Sequence, residues 1–508
     1  MTHITRTADT SADAAATPAQ PVDDLRQNAI RGALARICAQ VVGLLLRVGS
    51  LTVLARLLDP KDFGLVGMVS AFTGVLYLFR DFGLSAASVQ RSTVTLEQKS
   101  TLFWLNLLVG AALTIFTAAC APLVAAFYHE PRICWITVVL AAGFLFNAAG
   151  IQHSALLQRQ MRFTALSIIE VVSWFASIFL AVLMARRGSG YWSIVVMTIS
   201  LPLTGTISVW ITARWIPKLP RRNTDIREML RFGGALTVNG IVVYLASNFE
   251  KILLGRFWGA EAIGIYGRAY QLVRIPIDNL NSAIGEVAFS ALSRLQHDPA
   301  RLKSYFLKGY SLVVALTLPV TLACGLFADD LIAVLLGPKW KEAAPIFRLL
   351  APTLLVFAVA NPLGWLLSSI GLVRRSLHMS VVIAPIMIGS YFIALPYGPR
   401  GVALVYSVVM LLWVVPVTVW SLHGTVISPW DILASVIRPL TAGILAVGFA
   451  LPLRFLHGLL PLPRLIGEGG LLVIAYSFIL LYGMGQRHLY ISIIRGQPPA
   501  YRKTLATA

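Results

Sequence analysis

LARLLDPKDFGLVG (residues 54–67) and LGRFWGAEAIGIYG (residues 254–267) set the architecture of this chain. Leu54, Arg56, Gly64 and Gly67 match Leu254, Arg256, Gly264 and Gly267 at a constant offset of 200 residues. Arg31 and Arg231 keep the same offset ahead of each copy. Both copies lie where one hydrophobic segment gives way to the next. A membrane chain that repeats itself over half its length points to two pseudo-symmetric halves with a site between them. The duller account is chance likeness between two arginine-capped helix ends. It leaves the matched glycine spacing and the matched place in the helix order unexplained.

The 508 residues are 57% hydrophobic and 13% charged, with a mean hydropathy of +0.76. Apolar runs of about 20 residues recur along the chain, so nearly all of it reads as membrane-embedded. The net charge of +20 would suggest nucleic acid for a soluble protein. In a membrane protein it fits the positive-inside bias and contact with anionic lipid, and no nucleic-acid partner is expected. The four cysteines (Cys38, Cys120, Cys134, Cys324) form no CxxC pair and read as free thiols, with neither a disulfide framework nor a zinc site. Residues 1–25 lack an apolar core and read as a tail rather than a cleavable signal peptide.

The expected fold is an all-α integral membrane protein of about 14 transmembrane helices: two pseudo-symmetric six-helix bundles plus two C-terminal helices. The expected division is a disordered cytoplasmic tail (1–28), an N-terminal bundle (29–214), a cytoplasmic linker (215–229), a C-terminal bundle (230–423), helices 13 and 14 (424–486) and a second cytoplasmic tail (487–508). With the N-terminus inside, 23 of the 42 Lys and Arg fall on the cytoplasmic side, 10 outside and 9 within spans, which favours both termini in the cytoplasm. Six spans per half is an even number. The second half therefore enters from the same side as the first, and the pseudo-axis lies along the membrane normal.

A charge at mid-membrane costs roughly 3 kcal/mol and persists where it meets water, a partner or a ligand. The nine basic residues within spans are Arg36, Arg47, Arg56, Arg80, Lys251, Arg268, Arg274, Arg348 and Arg438, joined by Asp81, Glu170, Glu250, Asp278 and Glu286. Arg36, Gln40, Gly43 and Arg47 share one face of the first span, and Gln271, Arg274 and Asp278 share one face of the eighth. The simplest packing turns both stripes into a shared cationic cavity. Each residue also has a plainer reading. Arg56 and Arg256 can snorkel to the outer interface. Arg36 and Glu286 can sit at the cytoplasmic rim. Arg274 and Asp278 can form an i,i+4 ion pair. Arg80-Asp81 can simply end an apolar run. No Walker A, HExxH or GxSxG sequence occurs, and single histidines such as His153 are more often satisfied in place than metal ligands. No cofactor or metal is expected.

VLARLLDPKDFGLVGMVSAF and the following LFRDFGLSAASVQR resemble the opening of Wzx-type polysaccharide flippases, in the multidrug/oligosaccharidyl-lipid/polysaccharide exporter superfamily. ALLQRQMRF (155–163), GIYGRAYQLVRIPIDNLNSAIGEVAFSALSRLQ (264–296) and LLGPKW (335–340) are similar to later parts of the same family. The likeness spans residues 28–423 and is nearest the colanic-acid-exporter-like subgroup. It implies a transporter rather than an enzyme, flipping undecaprenyl-diphosphate-linked oligosaccharide across a bacterial inner membrane by alternating access, for exopolysaccharide or lipopolysaccharide export. The partners it implies are membrane lipids, H+ or Na+ as coupling ion, and a polysaccharide polymerase with its export machinery. Under it, Arg47 and Arg274 would hold the diphosphate or an acidic sugar, and Arg36 and Arg80 would capture substrate at the cytoplasmic mouth. Asp81, Glu170 and Asp278 would couple to the ion. The rival readings are a lipid II-type flippase, a cation-coupled multidrug exporter, a membrane glycosyltransferase or polymerase, and a passive scaffold.

Overall fold

The structure, a computed structural model, describes residues 22–79, 95–219, 227–450, 461–487 and 490, although the side chains of some helical residues, including 22–37 and 227–243, lie outside that description. Every regular element among the described residues is helical. The first half holds α1 (Val22–Leu57), α2 (Pro60–Tyr77), α3 (Leu96–Tyr128), α4 (Arg132–Arg159), α5 (Phe163–Arg186) and α6 (Trp192–Ala213). One helical stretch, Arg227–Arg294, is broken at Gly259 (φ 80°, ψ −174°) into α7 (227–258) and α8 (260–294). Only glycine adopts that backbone readily, so the break falls where the sequence places the second repeat copy. The chain continues through α9 (Pro299–Leu326), α10 (Ala328–Leu335), a 3₁₀ turn (Pro338–Trp340), α11 (Ala343–Leu350), α12 (Pro352–Ser369), α13 (Val373–Ala394), α14 (Gly398–Leu422), α15 (Pro429–Ala450) and α16 (Pro461–Phe478).

Local chemistry explains the starts. At α2 the Asp59 N–H donates to Asp62 Oδ2 (3.2 Å) and Pro60 takes the first helical position, where its missing N–H is harmless. At α3 the Thr95 hydroxyl accepts from the Gln98 N–H (3.2 Å) and Gln98 Oε1 accepts from the Thr95 N–H (3.1 Å), a capping box. Two features depart from the sequence reading. α1 begins at Val22, ahead of residue 29. The tenth span is two helices, α11 and α12, divided at Ala351-Pro352, because a proline cannot donate to the preceding turn.

Ten helical runs among the described residues are long and apolar enough to cross a membrane, one of them holding both α13 and α14. α2, α7 and α8 are not in that set. They are the helices that join the halves. α1 packs on α5, α3 on α4, and α4 and α5 on α6; in the second half the Arg227–Arg294 stretch packs on α11, α12, α13 and α14. α15 packs on α9 and α16. α2 instead lies along the Arg227–Arg294 stretch.

The join is reciprocal. A Cβ added to Gly64 would stand 1.6 Å from the Ala260 carbonyl oxygen, and one added to Gly264 would stand 1.9 Å from the Pro60 carbonyl oxygen. Residues 60 and 260 are themselves repeat partners, so each half presents the same pair to the other. A second pair of offset partners, Arg56 and Arg256, also reaches across, each to a different kind of group. Arg56 Nη2 donates to the Val334 carbonyl of α10 (2.7 Å), while Arg256 Nη1 lies 2.6 Å from His129 Nδ1, at the end of α3. These two arginines therefore also cross-link the halves. A third pair involves residues 55 and 255: Trp340 Nε1 donates to the Ala55 carbonyl (2.8 Å), and the Tyr128 ring packs on Gly255.

The main hydrophobic core lies between the halves at this end, with Leu54, Phe63, Leu65, Ile263, Tyr266 and Trp340 in one buried cluster. Trp340 is wholly buried, edge-on to Phe63 at 5.3 Å, and Lys339 Nζ reaches Asp59 Oδ1 at 2.7 Å. Along α2 these contacts continue to Tyr244, whose hydroxyl donates to the Ser70 carbonyl (3.2 Å) and occupies the space a Cβ on Gly74 would need. One turn further, Tyr77 turns into its own half against Phe144, with ring centres 4.6 Å apart.

Candidate substrate path and buried charge cluster

Arg47 lies ten residues before the end of α1. Its Nη2 is 3.3 Å from Glu170 Oε1 on α5, and its guanidinium sits 5.1 Å from the centre of the Trp174 ring, one turn further along α5. The i,i+4 spacing of Glu170 and Trp174 puts both on one face. The two charged side chains are 49% and 55% exposed, so the pair adds little to stability and remains open to a ligand. Arg274 pairs with Asp278 at 2.9 Å along α8, and its guanidinium lies 5.4 Å from the Phe357 ring of α12. The structure thus joins Arg47 to Glu170 and Arg274 to Asp278. Among the described residues, neither arginine takes a hydrogen-bond, ionic or ring partner from the opposite half. Nor are they repeat equivalents: the offset leads from Arg47 to Ser247 and from Arg274 to Gly74. The Arg36 side chain, and Arg80 and Asp81 entirely, lie outside the described residues.

A cavity of about 540 Å³ opens between α4, α5 and α6, and Glu170 and Trp174 are part of its wall. Near one end of the same helices, His153 is stacked on Trp210 (ring centres 4.3 Å apart), with its Nε2 3.0 Å from the Trp215 carbonyl. That contact ties the segment following α6 back onto α4.

The second half holds a cluster that sequence reasoning noted only as stray charges. Glu250 on α7 exposes none of its surface, and both of its carboxylate oxygens are buried without a hydrogen-bond partner. Lys251 donates to Asn248 Oδ1 (2.7 Å) and lies 4.7 Å from the centre of the Tyr270 ring. The hydroxyls of Tyr266 and Tyr391 are likewise buried without a partner. Tyr270 meets Tyr406 of α14 with ring centres 5.9 Å apart. Glu250 is close enough to act electrostatically on Tyr266, Tyr270, Tyr391 and Tyr406. Arg268 lies 4.6 Å from the Phe63 ring of the opposite half and donates to Gln271. A buried carboxylate without hydrogen bonds is costly as an anion, so this one is suited to carrying a proton or a cation. Among the described residues, no three His, Cys, Asp or Glu gather as metal ligands.

The two-half helical architecture is shared with solved membrane transporters. A lipid II flippase, MurJ, in an inward closed conformation superposes with a TM-score of 0.71 at 14% identity, covering 91% of this chain and all of that one. An inward-facing multidrug resistance MATE family transporter superposes at 0.60 with 16% identity, over 77% of this chain and 97% of its own. The family described as Polysaccharide biosynthesis protein matches residues 53–345, more than half the chain. The teichuronic acid biosynthesis protein TuaB of Bacillus subtilis is 28% identical over 387 residues, 73% of this chain and 78% of that one. The lipopolysaccharide biosynthesis protein WzxC of Escherichia coli is 28% identical over 363 residues, 70% and 73% of the two chains. The chain belongs to the polysaccharide biosynthesis protein family, and its apolar helices make it a multi-pass membrane protein.

Proposed function

We propose that this protein flips undecaprenyl-diphosphate-linked oligosaccharide repeat units from the cytoplasmic to the periplasmic leaflet of a bacterial inner membrane, by alternating access. A diphosphate with its sugars cannot enter hydrocarbon unaided, because its hydrogen bonds would go unmet. Arginines suit a diphosphate through forked, charge-assisted hydrogen bonds. Arg47 and Arg274 are assigned to the diphosphate or an acidic sugar, with Arg36 and Arg80 at the entrance.

The observation that carries this reading is the tight backbone join of the halves at the α1–α2 corner. Gly64 and Gly264 meet reciprocally there, and contacts along α2 continue to Gly74 under the Tyr244 hydroxyl. The bias of basic residues assigns the joined end to the outside and both termini to the cytoplasm. In this scheme the joined corner is the end closed outward, and rocking of the halves would expose the arginines to the other leaflet. Asp81, Glu170 and Asp278 remain candidates for H+ or Na+ coupling, and Glu250 joins them. The bundles 29–214 and 230–423 are the two rocking bodies in this scheme, and a polymerase and export machinery would take the product.

The lipid II reading rests on a fold likeness alone. The relatives' names favour polysaccharide precursors, and an arginine-rich path disfavours the cationic drugs of a multidrug exporter. The test is a proteoliposome carrying the purified protein and a fluorescent undecaprenyl-diphosphate-linked oligosaccharide. Protein-dependent exposure of the sugar to the opposite face is expected, and absence of any transfer under either ion gradient overturns the proposal.

A further inference from the structure

We infer that the cavity between α4, α5 and α6 is a saccharide subsite, separate from the arginines that hold the anionic part of the cargo. The inference rests on the flippase reading above and adds to it a place for the sugars.

The cavity's volume, about 540 Å³, falls within the range of small-molecule sites, about 300–1,000 Å³, and is enough for a short oligosaccharide. Its wall combines the chemistry that sugars require. Asn147 and Ser154 come from α4, Glu170, Ser173 and Trp174 from α5, and Thr206 from α6. Several of these groups are already oriented. The Thr206 hydroxyl donates to the Phe146 carbonyl (2.6 Å), and the Ser173 hydroxyl donates to the Ile169 carbonyl (2.7 Å). Each hydroxyl with its hydrogen so engaged presents lone pairs, so it accepts from sugar hydroxyls rather than donating to them. The Glu170 carboxylate accepts in the same way, and the Trp174 ring supplies a flat apolar face for the C–H side of a pyranose.

The remaining geometry concerns access and charge. Gln158 and Phe163, at the ends of α4 and α5 that the charge bias puts on the cytoplasmic side, form part of the wall. The cavity then runs inward along α4 as far as Asn147. Arg47 reaches Glu170 at its edge. A head group seated with its sugars in the cavity therefore directs its anionic end towards Arg47. Glu170 serves here as a binding group for hydroxyls. Pro202 and Leu201 on α6 leave room beside Gly205, whose added Cβ would meet only Ser173 Oγ, at 3.6 Å. A side chain placed there fills the cavity without a backbone clash.

The experiment uses the full-length protein in nanodiscs and, as probe, the lipid-free oligosaccharide released by mild acid hydrolysis from the host's lipid-linked repeat units. Binding is read by calorimetry for the parent and for Gly205→Leu, Asn147→Leu, Trp174→Phe and Trp174→Ala, each checked by thermal melting. Saturable binding is expected in the parent. It should fall by about tenfold or more, the factor of roughly one lost hydrogen-bond pair or ring contact, in Gly205→Leu, Asn147→Leu and Trp174→Ala, with Trp174→Phe retaining most of it. Excess inorganic pyrophosphate should leave it intact, since the sugar and phosphate sites are separate. Unchanged affinity in folded Gly205→Leu and Trp174→Ala, or no binding by the parent, overturns the subsite. Flipping of the lipid-linked substrate by the same samples is scored separately. A parent that flips while the cavity variants bind and flip normally loses the subsite and keeps the function. A parent that binds sugar but never flips lipid-linked cargo loses the function instead.

Discussion

Gly64 and Gly264 face each other across the join of the two halves, and each receives the carbonyl of the residue four positions before the other, Ala260 and Pro60. Their helices meet backbone to backbone, closer than any side chain allows. This is the isologous contact of a two-fold axis, made within a single chain. Beside it, the offset partners Arg56 and Arg256, and Ala55 and Gly255, each reach the other half, though onto partners that are not offset equivalents.

Gly64→Ala and Gly264→Ala should each force the halves apart. Overpacking of a tight contact costs about 1–3 kcal/mol, and here the colliding atoms are backbone, which cannot rotate away. Export in a complemented deletion strain should be lost in both, with membrane levels of protein reduced only in part. The double variant should do little further harm, because either one already opens the contact. Full export from Gly64→Ala would falsify the tight crossing.

Trp340→Ala should be the more destabilising change at this end. A buried tryptophan lost to alanine costs about 3–5 kcal/mol, and the Ala55 carbonyl loses its donor as well. Trp340→Phe keeps the ring against Phe63 and loses only the hydrogen bond, about 1 kcal/mol. Melting of the two purified variants in detergent should rank them in that order.

Locking the joined end should stop transport. Asp59→Cys with Lys339→Cys places two thiols where Lys339 and Asp59 now touch. A short bifunctional thiol reagent should then block flipping, and the single variants should be insensitive to it. If cross-linked protein flips at the parent's rate, the halves do not need to part and alternating access is wrong.

Arg47→Gln and Arg274→Gln should separate binding from stability. Exposed pairs of this kind contribute about 0.2–1 kcal/mol to folding, so melting should barely move. Flipping should fall by about tenfold or more if each guanidinium makes a charge-assisted hydrogen bond to the cargo. Normal flipping by both variants removes them from the path.

Glu250→Gln should fold at least as well as the parent, since it removes a carboxylate that nothing hydrogen-bonds. If Glu250 carries the coupling ion, transport by the variant should no longer respond to an imposed H+ or Na+ gradient. A gradient response equal to the parent's dismisses the residue.

Much of the fold was legible because its determinants are local. Hydrophobic length gives the helices, and Asp59-Pro60 and the 200-residue offset give the corner at which the halves meet. Arg47 and Arg274 stood out because a charge in an apolar run needs a reason. Their partners were legible only where helical spacing supplied them: Asp278 is one turn from Arg274, whereas Glu170 meets Arg47 across 123 residues. The Glu250 cluster was illegible for the same reason. Its tyrosines at 391 and 406 lie on helices that follow long after, and a tyrosine in a membrane helix is unremarkable until its neighbours are known. The docking of Pro338–Trp340 on α1 likewise depends on a tertiary contact that no periodicity encodes.

A patch that matches its own copy is what two identical subunits use to pair. The Gly64–Gly264 crossing is a pairing of that kind made within one chain. The likeness stops at the seam, since the offset puts Ser247 in the place of Arg47 and Gly74 in the place of Arg274. Peptide atoms hold this seam shut, so the side chains on either side of it are free of the seam's packing demands.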